Sequence, residues 1–445
     1  MAVLSLPDHV QPLIYRLETA GFPTYAVGGC VRDMLLGLIP HDYDLCTAAL
    51  PEQTEAVFCD HALVLAGKKH GTVGVVTPKG VVEITTFRTE GGYRDNRHPD
   101  WVRFAPDIRE DLARRDFTVN AMAWSPARGF ADPFGGREAL SAGILQAVGD
   151  PDTRFREDSL RILRGVRFAV RYGLKAEDST LRAMEDLAPL MENLARERVF
   201  EELCKLLPLV SAEDLLTFAP VLAAAVPELA PMIGFDQHSP HHAYDLFAHT
   251  AHVVESVPRE LSLRWAALLH DVGKVPTFTR DENGRGHFYG HAKESARMAD
   301  AILHRLKAPT ALREETVSLI DLHMTPMPPE KKVLRRWLSR LGAPQLGRLL
   351  CLQEADMRSK GTVAPGELEQ FAVLRGLIRQ IGEEDACLSL KDLAVNGRDL
   401  LALGLEGRAV GRCLNRLLDL VLDEAVPNER AALLAAANQE KERIL

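Results

Sequence analysis

Three shortages in the sequence each exclude a class of protein. Cysteine is scarce and unpatterned, with seven residues at 30, 46, 59, 204, 351, 387 and 413, an odd number without a CxxC pair. That excludes a disulfide scaffold and a zinc ribbon, and it fits reduced thiols in the cytoplasm. Long hydrophobic runs are missing, and the N-terminal MAVLSLPDHV has no basic n-region, so neither a membrane span nor a secretory leader is expected. Positive charge is in deficit, with 53 Lys+Arg against 62 Asp+Glu. A uniformly basic nucleic-acid coat is therefore excluded, and any RNA contact must come from local basic patches and be salt-sensitive. No repeat and no low-complexity segment is present.

What is there is a folded chain of 445 residues, long enough for several cores. Up to about residue 140, short apolar runs alternate with Gly and Pro punctuation: TYAVGG, ALVLAG, GTVGVVTP, VVEITTFR and WVRFAP read as strands between helical stretches, so this is an α/β region. From Phe155 onward helical periodicity takes over, as in SLRILRGVRFAVRYG, so the rest is all-α.

The first constellation is VGGCVRDMLLGLIPHDYDL. Gly28 and Gly29 follow an apolar strand, Arg32 and Asp33 enter the next helix, and Asp42 and Asp44 come after a break. Paired glycines let a triphosphate approach backbone amides, and Arg32 offers a fork of donors to its oxygens. Asp42 and Asp44 alternate along an extended strand, so both carboxylates share a face and can hold two Mg²⁺ ions. Glu83 in VVEITTFR is either a third metal carboxylate or a solvent-facing strand residue. RRDFTVNA then places Arg114, Arg115 and Asp116 before an apolar helical run, Arg114 as a structural ion pair. EDSLRILRGVRF sets Asp158, Arg161, Arg164 and Arg167 at three-residue steps, one ridge of a helix.

GGCVRD with DYD, then RRDFTVNAMAW and EDSLRILRGVRF, resembles the class II tRNA nucleotidyltransferases and the related bacterial poly(A) polymerases. The resemblance implies a polymerase-β-like nucleotidyltransferase head holding Mg²⁺ on Asp42 and Asp44. Gly29, Arg32 and Arg115 would then meet the incoming CTP or ATP, and tRNA would be the acceptor. It also implies that Asp158 and Arg161 read the base edge while Arg164 and Arg167 help bind the nucleotide. The chemistry fits: a carboxylate accepts from the exocyclic amine of C or A, and a guanidinium donates to the ring nitrogen beside it. Guanine and uracil place a carbonyl where that amine would be, and the carboxylate repels it.

A third constellation spans AYDLFAHTAHVVE, RWAALLHDVGK, FYGHAKESA, LIDLHMTP and QEADMRSK. His249, His270-Asp271 and Asp356 sit within apolar helical runs, where a polar cluster is costly unless a bound cation satisfies it. Their order resembles the HD phosphohydrolase superfamily, which implies Ni²⁺, Co²⁺ or Mn²⁺ and hydrolysis of a phosphate ester. His291 and His323 could complete a second metal position. KKVLRRWLSRLG (331–342) is either an RNA-phosphate contact or an exposed helical face, and residues 388–422 resemble the tail by which class II enzymes grip tRNA.

The chain thus divides into a nucleotidyltransferase head (1–140), a helical neck that recognises the base (141–230), an HD domain (231–360) and a helical tail (361–445). CCA addition to tRNA leads. The competing readings are a poly(A) polymerase, an enzyme adding only CC or only A, and an HD hydrolase with a nucleotide-binding head. The choice among CCA, CC and A is expected to depend on the polar, Gly-rich loop GGYRDNRHPDW (91–101).

Overall fold

The computed structural model describes residues 4–92, 101–239, 243–361, 366–384 and 387–444, with side chains up to 441 in the last segment. Most of the loop expected at 91–101 therefore lies outside the described residues. The chain divides into two compact units: Met1–Val210 with Thr217–Ala230 and Arg305–Lys307, and Ser211–Leu216 with Pro231–His304 and Ala308–Leu445.

The first unit is built on a seven-stranded mixed sheet. Its strands are β1 (Thr24–Val27), β2 (Leu45–Thr47), β3 (Leu63–Val64), β4 (Thr72–Thr77) and β5 (Gly80–Thr86), joined by β8 (Ala123–Ser125) and β9 (Gly129–Ala131) in the order β3-β4-β5-β2-β1-β8-β9. β6 (Arg88–Gly91) and β7 (Trp101–Phe104) pair separately. β2 and β5 are parallel, and every other neighbour in the large sheet is antiparallel. The alternation on β5 explains its seating: Val82, Ile84 and Thr86 are buried while Glu83 faces out. Val27, Phe87, Leu112 and Ala123 pack on one another beneath β1 and β2, and truncating a residue such as Leu112 would cost about 2–5 kcal/mol.

Helices α1 (Gln11–Thr19) and α2 (Gly29–Leu35) flank β1. Beyond the sheet come α3 (Leu160–Tyr172) and α4 (Arg196–Leu206). α3 buries Ile162, Leu163 and Val166 on one side and carries its arginines along another, and Gly173 ends it in the left-handed conformation at φ 61°.

Three local expectations change. ALVLAG contributes only the two residues of β3. The run after Arg115 is not a helix: Thr118–Asn120 makes one 3₁₀ turn, and the chain then enters β8. The reason is local, because Asp116 Oδ1 accepts from Phe117 N (2.9 Å) and Asn120 Nδ2 (3.0 Å), closing a turn before a helix can propagate. Asp158 does not ride on α3 but precedes it in an extended conformation, its Oδ1 accepting from Leu160 N at 3.1 Å.

The second unit is helical: α5 (Leu246–Ser256), α6 (Leu261–Leu269), α7 (His291–Arg305), α8 (Thr310–Leu322) and α9 (Lys331–Arg358), the last broken at Gly342 ahead of Pro344. Trp265 and Phe247 are fully buried here. Farther along, α10 (Arg408–Leu422) and α11 (Arg430–Ile444) close a separate apolar cluster around Leu400, Cys413, Leu417 and Leu433. The basic stretch 331–342 faces this tail's acids: Lys331 pairs with Glu384, Lys332 and Arg336 with Asp423, and Arg335 with Glu424. Four of its five cations thus serve intramolecular ion pairs.

Candidate functional site

The first unit contains a cleft lined by four aspartates, Asp33, Asp42, Asp44 and Asp116, and five arginines, Arg32, Arg115, Arg164, Arg167 and Arg171, with Gly29, Asn120, Phe168 and Tyr172. Asp42 and Asp44 lie in the extended segment just before β2 rather than inside it, a correction to the strand placement. Asp44 is still tied to the sheet, because its carbonyl accepts from Val27 N at 3.0 Å. Asp42 is 85% exposed. Burial first, then the neighbouring Asp42 and Glu83 carboxylates, raise the Asp44 pKa, and Arg115 opposes them. Three negative charges are thus gathered where a cation would relieve them. Glu83 belongs to this group by register: Ile84 pairs with Leu45 in the parallel β2-β5 ladder, which sets Glu83 level with Asp44.

Gly28 has φ 74°, and a Cβ there would fall 2.5 Å from Arg115 Nη1. Glycine is therefore required both by backbone conformation and by the close approach of that arginine. Arg115 is held by Asp111 Oδ2 (3.4 Å) and the Asn120 carbonyl (3.5 Å). Arg114 is the structural pair, at 2.9 Å from Asp111 and 3.4 Å from Glu90.

The α3 ridge reaches the same cleft. Arg164 and Arg167 line it, anchored by Asp116 (2.7 Å) and Glu202 (2.7 Å). Arg161 sits one turn back and Asp158 precedes the helix, and neither lines the cleft. Asp158 pairs with Arg198 at 3.1 Å, and Arg161 with Glu157 at 2.6 Å. Arg32 is only 5% exposed and donates to Asn120 Oδ1, Asp33 Oδ1 and the Tyr172 hydroxyl, with its guanidinium over the Tyr172 ring at 4.1 Å. Sequence reading placed Asn120 one turn after Asp116 without giving it a role, and missed Phe168, Arg171 and Tyr172. Arg171 lies four residues after Arg167, a step that keeps it on the same helical face, so that one signal was available.

In the second unit, five helices deliver six side chains to one buried point. His249 comes from α5, His270 and Asp271 follow α6, His291 opens α7, His323 follows α8, and Asp356 lies in the last turn of α9. His249, His270, Asp271 and Asp356 form one group, and Asp271, His291 and His323 a second, each with ligand atoms within 4.8 Å of one another. Asp271 is shared: Oδ2 lies 3.2 Å from His270 Nε2, and Oδ1 lies 3.5 Å from His291 Nε2 and 4.0 Å from His323 Nε2. Asp356 Oδ1 is 3.0 Å from His249 Nε2.

The donor set fits metal ions. Each histidine donates through Nδ1 to a backbone carbonyl: His249 to Ser359 (3.2 Å), His270 to Ala267 (2.8 Å), His291 to Phe288 (2.8 Å) and His323 to Ile320 (2.6 Å). That fixes each ring's orientation and turns every Nε2 toward the cluster. The buried Nε2 atoms of His270, His291 and His323 have no hydrogen-bond partner, a cost that a bound cation removes. Burial, then His270, holds His323 down to about 4, and burial lowers His291, so both favour neutral imidazole. Burial also pulls His270 down, but Asp271 and Asp356 outweigh it and lift it to about 10. The point between these carboxylates thus calls for positive charge. Lys274, not singled out in the sequence, supplies one at 2.7 Å from Asp271 Oδ2 and is steadied by Gln237 (3.0 Å).

A carboxylate-and-arginine cleft on a mixed sheet, with an HD cluster on a helical unit, defines a nucleotidyltransferase with an attached HD domain. Family models agree: "Poly A polymerase head domain" matches residues 24–146 and "HD domain" 242–360. "Probable RNA and SrmB-binding site of polymerase A" matches 173–233, and tRNA nucleotidyltransferase domain 2 matches 364–437. The CCA-adding enzyme of Latilactobacillus sakei is 34% identical over 430 residues, 96% of both chains. That of Geobacillus kaustophilus is 41% identical over 232 residues, 50% of this chain and 57% of that protein. The crystal structure of the Bacillus stearothermophilus CCA-adding enzyme in complex with CTP superposes with a TM-score of 0.73 at 30% identity, covering 98% of this chain and 97% of that one. The chain belongs to the CCA-adding enzyme family.

Proposed function

We propose that the protein adds C and A from CTP and ATP to the 3′ end of tRNA without a template, releasing pyrophosphate. The observation that carries this is the cleft, where the Asp42 and Asp44 carboxylates face Arg115, Arg164 and Arg167. When bound at Asp42 and Asp44, with Glu83 alongside, Mg²⁺ supplies activation of the terminal ribose hydroxyl and neutralisation of the leaving pyrophosphate. The residues do the rest. Arg115 and the α3 arginines hold the triphosphate, and Gly28 leaves Arg115 the room to do so. Arg32 is locked by Asn120 and Tyr172 and gives the cleft a fixed cationic floor. Asp158 and Arg161 read the base edge once Asp158 exchanges Arg198, and Arg161 exchanges Glu157, for an incoming cytosine or adenine. The four-part division into head, neck, HD domain and tail follows these roles.

Among the described residues no helix is long and apolar enough to cross a membrane. The seven free cysteines support a reducing cytoplasmic setting.

The test supplies tRNA transcripts that end before CCA, after C and after CC, with Mg²⁺ and labelled CTP or ATP. The reading expects CTP to extend the first two and ATP only the third. Long poly(A) growth on unstructured RNA without CTP use would instead assign a poly(A) polymerase.

A second activity is favoured by the paired metal groups around Asp271. We propose that this centre, loaded with Ni²⁺, Co²⁺ or Mn²⁺, hydrolyses terminal or cyclic phosphates and so cleans damaged tRNA ends for CCA addition. Protein inactive on such esters with all three metals would remove it.

A further inference from the structure

Two members of the buried cluster, His323 and Asp356, also line an open cavity between the corner after α8 and the end of α9. Its remaining wall is unlike that of a plain phosphate site. Met324, Met327 and Met357 present three thioethers, Phe371 and Leu374 complete the apolar lining, and Lys360 stands at the rim with Nζ 3.7 Å from Asp356 Oδ2. The Met324 corner is built rather than loose. Gln353 Nε2 donates to both the His323 and Thr325 carbonyls (3.1 and 2.9 Å), which pins the turn while leaving Met324 50% exposed.

His323 and Asp356 belong both to the cluster and to the cavity wall, so the cavity is the space next to a phosphate seated at the cluster. Flat, polarisable surfaces match thioethers and an aromatic edge, and base stacking on such a shelf tolerates any base. A cation at the rim meets the ester's negative charge.

We infer that this cavity is a nucleobase-binding subsite of the HD centre, with Met324, Met327, Met357 and Phe371 as the shelf for the base and Lys360 as the phosphate-side contact. The inference rests on the hydrolase reading of the cluster. The occupant is the base of a nucleoside phosphate, either free or at an RNA end.

The test uses the full chain labelled with ¹³C at its methionine methyls, assigned by Met→Leu substitution. Mn²⁺ alone probes the cluster, where loss of the Met324, Met327 and Met357 signals by paramagnetic broadening is expected. Adenosine 3′-monophosphate is then added to Zn²⁺-loaded protein. The base should shift those three methyls upfield, and ribose 5-phosphate should not. A short RNA ending in a 3′-phosphate should give the same pattern if strand ends are the occupants. In hydrolysis with Mn²⁺, Met324→Ala should raise KM for the adenosine ester roughly tenfold relative to a baseless phosphate ester, and Lys360→Gln should raise KM for both. Broadening by Mn²⁺ with no shift from the nucleotide would overturn the subsite and leave the metal centre standing. Shifts from the nucleotide without Mn²⁺ broadening would keep the subsite and overturn the metal centre. Equal shifts from ribose phosphate would overturn recognition of the base.

Discussion

Arg164 of α3 holds Asp116 by two hydrogen bonds to one carboxylate oxygen, from Nε at 2.9 Å and Nη2 at 2.7 Å. This pair ties the nucleotide-facing helix to the turn that carries Asn120, so the arginine wall of the cleft is positioned by a buried acid. Burial alone would raise the Asp116 pKa, but Arg164 and Asn120 bring it down to about 2. The folded value lies below the unfolded one of about 3.9, so the pair contributes stability above that pH and loses it as pH falls through about 2. Asp116→Asn should therefore cost about 2 kcal/mol at pH 7. Urea unfolding at pH 7 and pH 3 should show the gap to wild type narrowing at the lower value, and a gap independent of pH would mean that the pair is not ionised as described.

Asp44→Ala should lower nucleotide addition by about 10³-fold or more, the equivalent of about 4 kcal/mol of transition-state stabilisation. The same variant should hydrolyse phosphate esters at the HD centre as wild type does. Measuring both rates on one preparation separates a lost metal site from a misfolded chain.

Gly28→Ala places a methyl 2.5 Å from Arg115 Nη1 at a backbone φ of 74°. About 1–3 kcal/mol of strain should appear as displacement of Arg115, read out as a KM for CTP raised roughly tenfold. Gly21→Ala is the control, since it shares positive φ but has nothing within 4 Å of its Cβ. Equal effects of the two would indicate backbone strain without a role for Arg115.

Asp158→Ala should relax base choice, with GTP and UTP incorporation rising by roughly tenfold relative to CTP. Unchanged discrimination would mean that the base is read elsewhere, for example by Arg164 and Arg171, which already line the cleft.

The legible parts of the sequence were those whose chemistry is local. Gly28-Gly29, the Asp42/Asp44 pair and His270-Asp271 are adjacent or nearly so, and the residue types themselves state the need for close backbone approach or a cation. The arginine ridge was legible because i to i+3 spacing survives on a real helix, and a four-residue step, also helical, carries it on to Arg171. Long-range partners were not legible. Arg32 meets Asn120 and Tyr172 across separations of 88 and 140 residues, and no spacing encodes such a bond. The 3₁₀ turn at Thr118–Asn120 was misread because Asp116 acts through its side chain, whereas periodicity sees only the apolar run that follows.

Metal binding at the HD centre is expected to stabilise the second unit. Millimolar Mn²⁺ should raise its melting temperature, EDTA should reverse the shift, and His270→Ala should abolish the response while leaving the metal-free melting temperature similar or higher. A metal-independent melting temperature in the wild type would count against the cluster as a binding site.

The most direct measurement offers a tRNA transcript lacking its 3′ end all four nucleoside triphosphates together with Mg²⁺, and sequences the products. The account predicts a single product extended by C, C and A that then stops. A poly(A) ladder, termination after CC, or A added only to tRNA already ending in CC would contradict it.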